Sequence, residues 1–271
     1  MAFVTVDDGT QLYWEQSGSG EPLLLIQGLG WSADMWHAIV PMLEQSHRVI
    51  RYDGRGIGRS EVPAGPYSIE RMADDAVAVL AAAGVDKAHV LGVSLGGIVA
   101  QEVALRHADV VLSLILGCTH PGGAETVWPE PEVLESLRAR TGMPFEEAVK
   151  VSIDYAYAPG TSAAIIQADL DRRIALPTSA EGYTAQLTGG LGYQGTLPRL
   201  KELGVPALIF TGDVDQLVPA VNSTTLLEAV PDGRLVVFPG AGHVVFSERP
   251  NEVAEAVLAF LADAGVRHAA G

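Results

Sequence analysis

Three side chains far apart in the chain have the types and settings that acyl transfer by a serine nucleophile requires: Ser94, Asp215 and His243. Ser94 stands in Gly92-Val93-Ser94-Leu95-Gly96-Gly97, after the apolar run Ala88-His89-Val90-Leu91 and before the helix-forming run from Ile98 to Leu105. A serine between a strand and a helix, with glycines two residues either side, fits the G-x-S-x-G elbow that exposes a nucleophile at a strand end. The spacing has a steric reason: in so tight a turn a side chain at either flanking position would strike neighbouring backbone, and glycine has none. The amide of Leu95, at the start of the helix, faces the same space, where free N–H groups favour negative charge. The chain has 30 glycines, so the pattern alone is a weak signal, and the strand and helix around it give it weight.

Serine needs a base within hydrogen-bond reach. His243 closes Gly240-Ala241-Gly242-His243, after a strand and before the last helix, so it can reach across the strand ends. His37, His47, His89, His107, His120 and His268 fall on helices, strand edges or the tail, where structural or solvated roles are expected; among these, His120 also follows a strand. The base needs an anion to fix its tautomer. Thr211-Gly212-Asp213-Val214-Asp215 offers two, and Asp215 is the choice because Asp213, directly after glycine, suits a bond to the turn backbone. An oxyanion needs two donors. Leu95 N–H is one, and the loop Gln27-Gly28-Leu29-Gly30 supplies the other through Leu29, its flanking glycines allowing close approach.

The elements that must position these groups can be read from the pattern. Residues 2–16 alternate around Asp8-Gly9 as a hairpin. Strands are expected at Pro22–Ile26, Arg48–Tyr52, Ala88–Leu91, Val111–Leu116, Val205–Thr211 and Arg234–Phe238, with helices at Ser32–Gln45, Ser68–Ala83, after the elbow, at Val221–Ala229 and at Pro250–Ala264, where Gly265 is the stop. This alternation predicts a mostly parallel sheet with helices on both faces. It breaks between Pro121 and Gly195, where only helices are expected, at Glu132–Arg140, Phe145–Tyr157, Thr161–Ile174 and Ala180–Leu187. The organisation expected is a core of residues 1–120 and 196–271 with a helical cap, 121–195, over the strand ends. The tail, 267–271, is expected to fray.

The chain of 271 residues is 48% hydrophobic and 18% charged, as a globular α/β chain should be. Its net charge of −16 argues against a nucleic-acid partner, whose phosphates it would repel. A single cysteine, Cys118, forbids an internal disulfide, and the first residues carry no signal-peptide pattern. No apolar run approaches the roughly 20 residues needed to span a bilayer. These features predict a cytoplasmic protein without membrane contact, as monomer or homodimer. No cluster of Cys, His and carboxylates has ligand spacing, so no metal or organic cofactor is implied.

Over essentially its full length the chain resembles the α/β-hydrolases. The order Ser94, Asp215, His243 is theirs, Asp53-Gly54-Arg55-Gly56-Ile57-Gly58-Arg59-Ser60 is similar to their D-x-R-G-x-G-x-S segment, and Asp215-Gln216-Leu217-Val218-Pro219 and Gly242-His243 are typical of them. Within them it resembles the 3-oxoadipate enol-lactonases, small esterases and cofactor-free haloperoxidases. The resemblance implies the α/β-hydrolase fold with an inserted cap and cleavage of a small-molecule ester or lactone through an acyl-enzyme on Ser94. One position departs: Gln27 stands where relatives carry histidine beside the oxyanion glycine. Serine in the elbow, where haloalkane dehalogenases have aspartate, argues against their chemistry.

Substrate contacts are expected from Gly28, Trp31, Trp128, Leu217 and Val244, with Met143, Tyr155 and Tyr157 as further apolar candidates. Arg172 and Arg173 could receive a substrate carboxylate, against the alternative of a solvated helix face. Other readings stay open: a C–C hydrolase of vinylogous diketones, an acyltransferase or perhydrolase using the same three residues, or a ligand-binding protein that turns over little.

Overall fold

The apolar runs form the middle of an eight-stranded sheet. The structure, a computed structural model, describes residues 2–269, and from residue 265 onward its backbone alone. The strands are β1 (Ala2–Thr5), β2 (Gln11–Ser17), β3 (Glu21–Ile26), β4 (His47–Tyr52), β5 (Ala88–Val93), β6 (Val111–Gly117), β7 (Ala207–Gly212) and β8 (Gly233–Phe238). Their spatial order is β1-β2-β4-β3-β5-β6-β7-β8. The hairpin β1–β2 joins β4 antiparallel, and every pairing from β4 to β8 is parallel. Strands β5 and β7 are buried at every residue, which explains why they read as unbroken apolar runs.

Side chains alternate across the sheet. Leu24 and Ile26 of β3 join one apolar layer, and Leu23 and Leu25 join the other. The helices are α1 (Val40–Leu43), α2 (Ile69–Ala82), α3 (Leu95–Arg106), α4 (Pro131–Ala139), α5 (Phe145–Ala156), α6 (Ala163–Ala175), α7 (Ala180–Gly192), α8 (Leu197–Leu200), α9 (Val221–Ala229), α10 (Val245–Glu248) and α11 (Pro250–Ala269). Helices α2 and α3 cover the first layer through Ile69, Ala73, Ala76, Val99 and Val103; α1 and α11 cover the second through Val40, Leu43, Val253, Val257 and Phe260. Ser68 caps α2 by accepting from the amide of Arg71, as its position predicts.

Two expectations need correction. The helix expected over 32–45 is broken into a 3₁₀ turn, Ala33–Trp36, and the four-residue α1. Pro41 has no N–H to continue the ladder and its ring crowds the preceding turn, so the helix restarts around it. At the other end, Gly265 does not stop α11, which runs on to Ala269. A glycine inside a helix costs only about 1 kcal/mol, and here the helix runs through it. Of the tail expected to fray, residues 270 and 271 lie outside the described residues, while 267–269 are helical.

Four helices, α4 to α7, stand between Pro121 and Gly195, as the break in alternation predicts, and the short α8 follows before β7. Their ends return to one point, where Thr196 donates its amide to the carbonyl of Pro121 at 2.9 Å. The D-x-R-G-x-G-x-S segment anchors the loop after β3. Buried Asp53 accepts from the amide of Ala33 at 2.7 Å and from the amide and Nε of Arg59 at 2.9 and 2.7 Å. Gly58, at φ +54, passes so near that a Cβ would lie 2.6 Å from Asp53 Oδ2. Arg55 is closed onto buried Asp75 by two bonds of 2.6 and 2.8 Å.

Candidate active site

The elbow is strained and its glycines are required. Ser94 has φ 54 and ψ −125, a region that L residues occupy only when their surroundings force it. The forcing contacts are visible. Ser94 donates its amide to Gly117 O at 2.9 Å and accepts at its carbonyl from the Thr119 hydroxyl at 2.6 Å. A Cβ on Gly92 would overlap Gly96 O, one on Gly96 would overlap the carbonyls of Ile26 and Gln27, and one on Gly97 would strike Thr119. The sequence therefore lets β5, α3 and the loop after β3 converge more closely than any side chain would allow.

His243 and Asp215 meet across the ends of β7 and β8. His243 Nδ1 lies 2.8 Å from Asp215 Oδ2, and both residues are buried. The other oxygen, Oδ1, accepts from the amides of Leu217 and Val218, each at 2.9 Å. Two bonds of that kind fix the plane of the carboxylate. Asp213 has the separate role expected of it, accepting from the amide of Gly240 at 2.6 Å.

One cavity joins these groups. It encloses about 1010 Å³ including its open mouth, and Gln27, Gly28, Leu29, Ser94, Leu95 and His243 are in its wall. The Ser94 hydroxyl has no hydrogen-bond partner among the described residues, and neither do the amides of Leu29 and Leu95. Gly28 sits where a Cβ would be 3.0 Å from Ser94 Cβ, so glycine there keeps the serine open. The loop after β3 is held from the helical insertion as well as the core. Gln186 of α7 accepts from the amide of Gly30 at 3.0 Å, and Thr178 donates to the carbonyl of Gly30 at 2.8 Å.

Gln27 stands directly before Gly28 at the end of β3. Its Oε1 accepts from the amide of Gly28 at 3.0 Å, while its Nε2 is buried without a partner among the described residues. The glutamine thus shapes the loop through a local bond.

Of the expected substrate contacts, Gly28, Trp31, Trp128 and Leu217 line the cavity. Val244 does not: it is fully buried in the core layer and donates its amide to Ala156 O at 3.1 Å. The backbone reverses at His243, so the next side chain points into the protein. Met143, Tyr155 and Tyr157 also stay out of the wall; Tyr157 instead donates to buried Asp169 at 2.9 Å. Arg172 is turned along its own helix, donating to Ala168 O at 2.8 Å, whereas Arg173 is buried.

Two residues near the site, Arg140 and Cys118, escape sequence reasoning, and His120, expected to be structural or solvated although it follows a strand, belongs to the site as well. Arg140 lines the cavity from the end of α4. Cys118 Sγ comes close enough to Asp215 and His243 that ligand atoms of the three lie within 4.8 Å of one another. Burial, and then the charge of Asp215, pushes its thiol pKa well up, so it stays a neutral packing group. His120 also lines the cavity, against Trp128 with ring centroids 5.3 Å apart. Its Nδ1 accepts from the amide of Gly122 at 3.0 Å, so the proton sits on Nε2. Burial, helped by nearby His243, lowers its pKa to about 4 and keeps it neutral.

The parallel sheet, the elbow after β5 and the acid and histidine after β7 and β8 together define the α/β-hydrolase class of folds. The chain belongs to the α/β-hydrolase fold family, which it matches over residues 21–250. It is 32% identical to a pimeloyl-[acyl-carrier protein] methyl ester esterase of Yersinia enterocolitica, over 92% of this chain and 97% of that one. It is 31% identical to a non-heme haloperoxidase of Rhodococcus erythropolis, over 96% and 99% of the two chains. In three dimensions it is similar to the enol-lactonase from Burkholderia xenovorans, with a TM-score of 0.83 at 25% identity over 96% and 100% of the chains. Among the described residues no helix is long and apolar enough to cross a membrane.

Proposed function

We propose that this chain is a serine hydrolase of carboxylic esters or lactones, with residues 121–195 as a cap over a core of 1–120 and 196–271. Ser94 is the nucleophile, His243 the base, Asp215 the carboxylate that orients it, and the amides of Leu29 and Leu95 the oxyanion hole. The observation that carries this reading is the convergence of four features on one cavity. They are a serine hydroxyl left without a partner, a histidine held at Nδ1 by a buried carboxylate, and two unpaired amides. An esterase and an enol-lactonase among the relatives support an ester or lactone as the substrate. The cap assignment rests on the joined ends at Pro121 and Thr196, and on Leu134, Leu137, Leu187 and Leu191, which wall the cavity from the insertion.

The chemistry follows from these positions. Asp215 holds the Nδ1 proton, so His243 Nε2 is free to take the proton from Ser94 Oγ as that oxygen attacks the carbonyl carbon. The carbonyl oxygen gains the negative charge beside two amides that need no reorganisation to receive it. Collapse breaks the acyl–oxygen bond, and His243 gives its proton to the departing alkoxide. Water then adds to the acyl-enzyme by the same route, its proton passing through His243 back to Ser94, and the acid leaves.

Hydrolysis of p-nitrophenyl acetate to octanoate and of an aromatic lactone, by the wild type and Ser94→Ala, tests the reading. Turnover that disappears in the variant is the expected result, and the chain-length profile then sizes the cavity. Equal rates in the two proteins would remove Ser94 from the mechanism.

A further inference from the structure

The chain leaving β6 is tied to Ser94 twice and carries a histidine that the triad does not use. Among the described residues, Ser94 and Cys118 are the two non-glycine positions with positive φ, at 54 and 46. They directly follow the neighbouring strands β5 and β6. Strain of this kind persists only where the surroundings over-determine it. Here the bonds are explicit: Ser94 donates its amide to Gly117 O at 2.9 Å, Cys118 donates to Phe210 O at 2.8 Å, and the Thr119 hydroxyl donates to Ser94 O at 2.6 Å. The carbonyl of His120 accepts from Gln101 Nε2 at 3.1 Å, and Gln101 Oε1 accepts from the Thr196 hydroxyl at 2.5 Å. The backbone of His120 is therefore fixed relative to the nucleophile.

Its ring is fixed as well. Nδ1 accepts from the amide of Gly122 at 3.0 Å and faces the Thr126 hydroxyl at 3.2 Å, while Trp128 packs against the ring. A backbone amide can only donate, so Nδ1 holds no proton and the neutral ring carries it on Nε2. Nε2 has no partner among the described residues, and His120 is only partly buried, in the wall of the cavity that holds Ser94 and His243. Burial, with the charge of His243 second, lowers its pKa to about 4, so at neutral pH the ring is an uncharged donor. Leucine or phenylalanine would pack against Trp128 as well; a polar ring with a fixed tautomer asks for an acceptor in the cavity.

The sheet order says which substrate atom that is. Strand β5 lies between β3 and β6. Leu29, after β3, and Leu95 would draw the carbonyl oxygen to the β3 side of Ser94. The alcohol part of the substrate then lies towards β6, where His243 must also reach the leaving oxygen. We propose that His120 donates from Nε2 to the leaving oxygen, as a second catalytic contact beside His243; this rests on the hydrolase reading. When the tetrahedral adduct collapses, the carbon–oxygen bond breaks and its electron pair stays on the leaving oxygen. His243 gives that oxygen a proton. His120 holds the same oxygen by a hydrogen bond and keeps its own proton, because neutral imidazole is a far weaker acid than the imidazolium of His243. A donor fixed in advance where charge develops needs no reorganisation. The contact matters most for alkoxides, which leave poorly, and least for p-nitrophenolate, which bears its charge unaided.

The test is kcat/KM of the wild type, His120→Leu and His120→Gln on p-nitrophenyl, phenyl, trifluoroethyl and ethyl acetate, which share an acyl group and differ in the leaving oxygen. His120→Leu is expected to lose less than about three-fold on p-nitrophenyl acetate but about ten- to hundred-fold on ethyl acetate, the scale of a hydrogen bond to a charged group. His120→Gln, whose amide keeps a donor at similar reach, should recover most of that loss. An equal loss on all four esters, the mark of a merely structural role, or no loss on ethyl acetate would overturn the proposal. Nitrogen NMR of the histidine-labelled wild type decides without any variant: His120 is expected as the Nε2–H tautomer, and a proton on Nδ1 would overturn the proposal. Rates unchanged in Ser94→Ala would sink the hydrolase reading and this proposal with it, whereas Ser94-dependent turnover with a uniform loss would sink the proposal alone.

Discussion

Replacing Asp215 with asparagine separates the geometry of the site from its electrostatics. Asp215 uses Oδ1 to accept from the amides of Leu217 and Val218, and Oδ2 to face His243 Nδ1 at 2.8 Å. Asparagine keeps an oxygen for the two amides, so the loop after β7 should hold its shape. Its Nδ2 then presents hydrogens to His243, whose Nδ1 must become the acceptor. The proton moves to Nε2, the atom that should take the proton from Ser94, and the developing imidazolium loses its counter-charge. A change of this kind in a serine triad lowers kcat by about ten-thousand-fold, or about 5.4 kcal/mol in the barrier at 1.36 kcal/mol per decade. The loss of stability should be far smaller, because both backbone bonds survive. The assay is Ser94-dependent hydrolysis of the best p-nitrophenyl ester, beside a urea titration of each protein. Asp213→Asn is the control: that residue accepts from Gly240 only, and an amide oxygen can replace it, so kcat should stay within about three-fold. Asp215→Asn retaining more than a tenth of wild-type kcat, or Asp213→Asn losing as much as Asp215→Asn, would refute the assignment.

Gly96→Ala would drive a Cβ into the carbonyls of Ile26 and Gln27, both backbone atoms that cannot step aside. A loss of about 3 kcal/mol is expected, lowering Tm by roughly 10 °C, together with lost activity as α3 and the oxyanion loop separate; a Tm within 2 °C would contradict the packing argument. Gln27→Leu removes the acceptor bonded to the amide of Gly28, freeing the loop after β3, so kcat should fall about ten-fold with little change in KM, read from ester kinetics. His120 gives a pH prediction. Its folded pKa of about 4 lies below the ordinary 6.5, so between those values the unfolded chain binds a proton that the folded chain does not. Its share of stability is complete above pH 6.5 and declines as pH falls to about 4, by roughly 2–3 kcal/mol. Urea titrations across that range should show a shallower decline in His120→Gln.

How much of this was legible in the sequence depended on how local the cause was. The elbow could be read because part of its requirement is local: a Cβ on Gly92 would meet Gly96 O, four residues on, whereas the carbonyls of Ile26 and Gln27 that exclude a Cβ on Gly96 are brought there by tertiary packing. Asp215 could be preferred over Asp213 because a residue directly after Gly212 falls within reach of the turn backbone. Strands β5 and β7 could be placed because burial on both faces leaves an unbroken apolar run. The helix expected over 32–45 failed on a local signal, Pro41, given too little weight against the apolar spacing. Val244 failed for another reason. Its neighbour His243 faces the cavity, and the backbone direction that turns the next side chain into the core is set by a bond to Ala156, 88 residues earlier in the chain.

The arginines mark the same boundary. Arg172 and Arg173 are adjacent in sequence and equivalent in composition, yet the face α6 turns toward α5 and Trp31 buries the second and leaves the first beside solvent. Arg140 carries no signal that separates it from other arginines near helix ends. Its burial over Tyr183 of α7, and its share in the cavity wall, come from the packing of the helices that follow it in the insertion. The sequence by itself carried most of the elements, their alternation and three candidate residues for acyl transfer, because periodicity, glycine sterics and loop position act over a few residues. Tertiary structure alone decided which side chains face the cavity and which charges are buried, because burial and charge balance are sums over neighbours that the chain order does not contain.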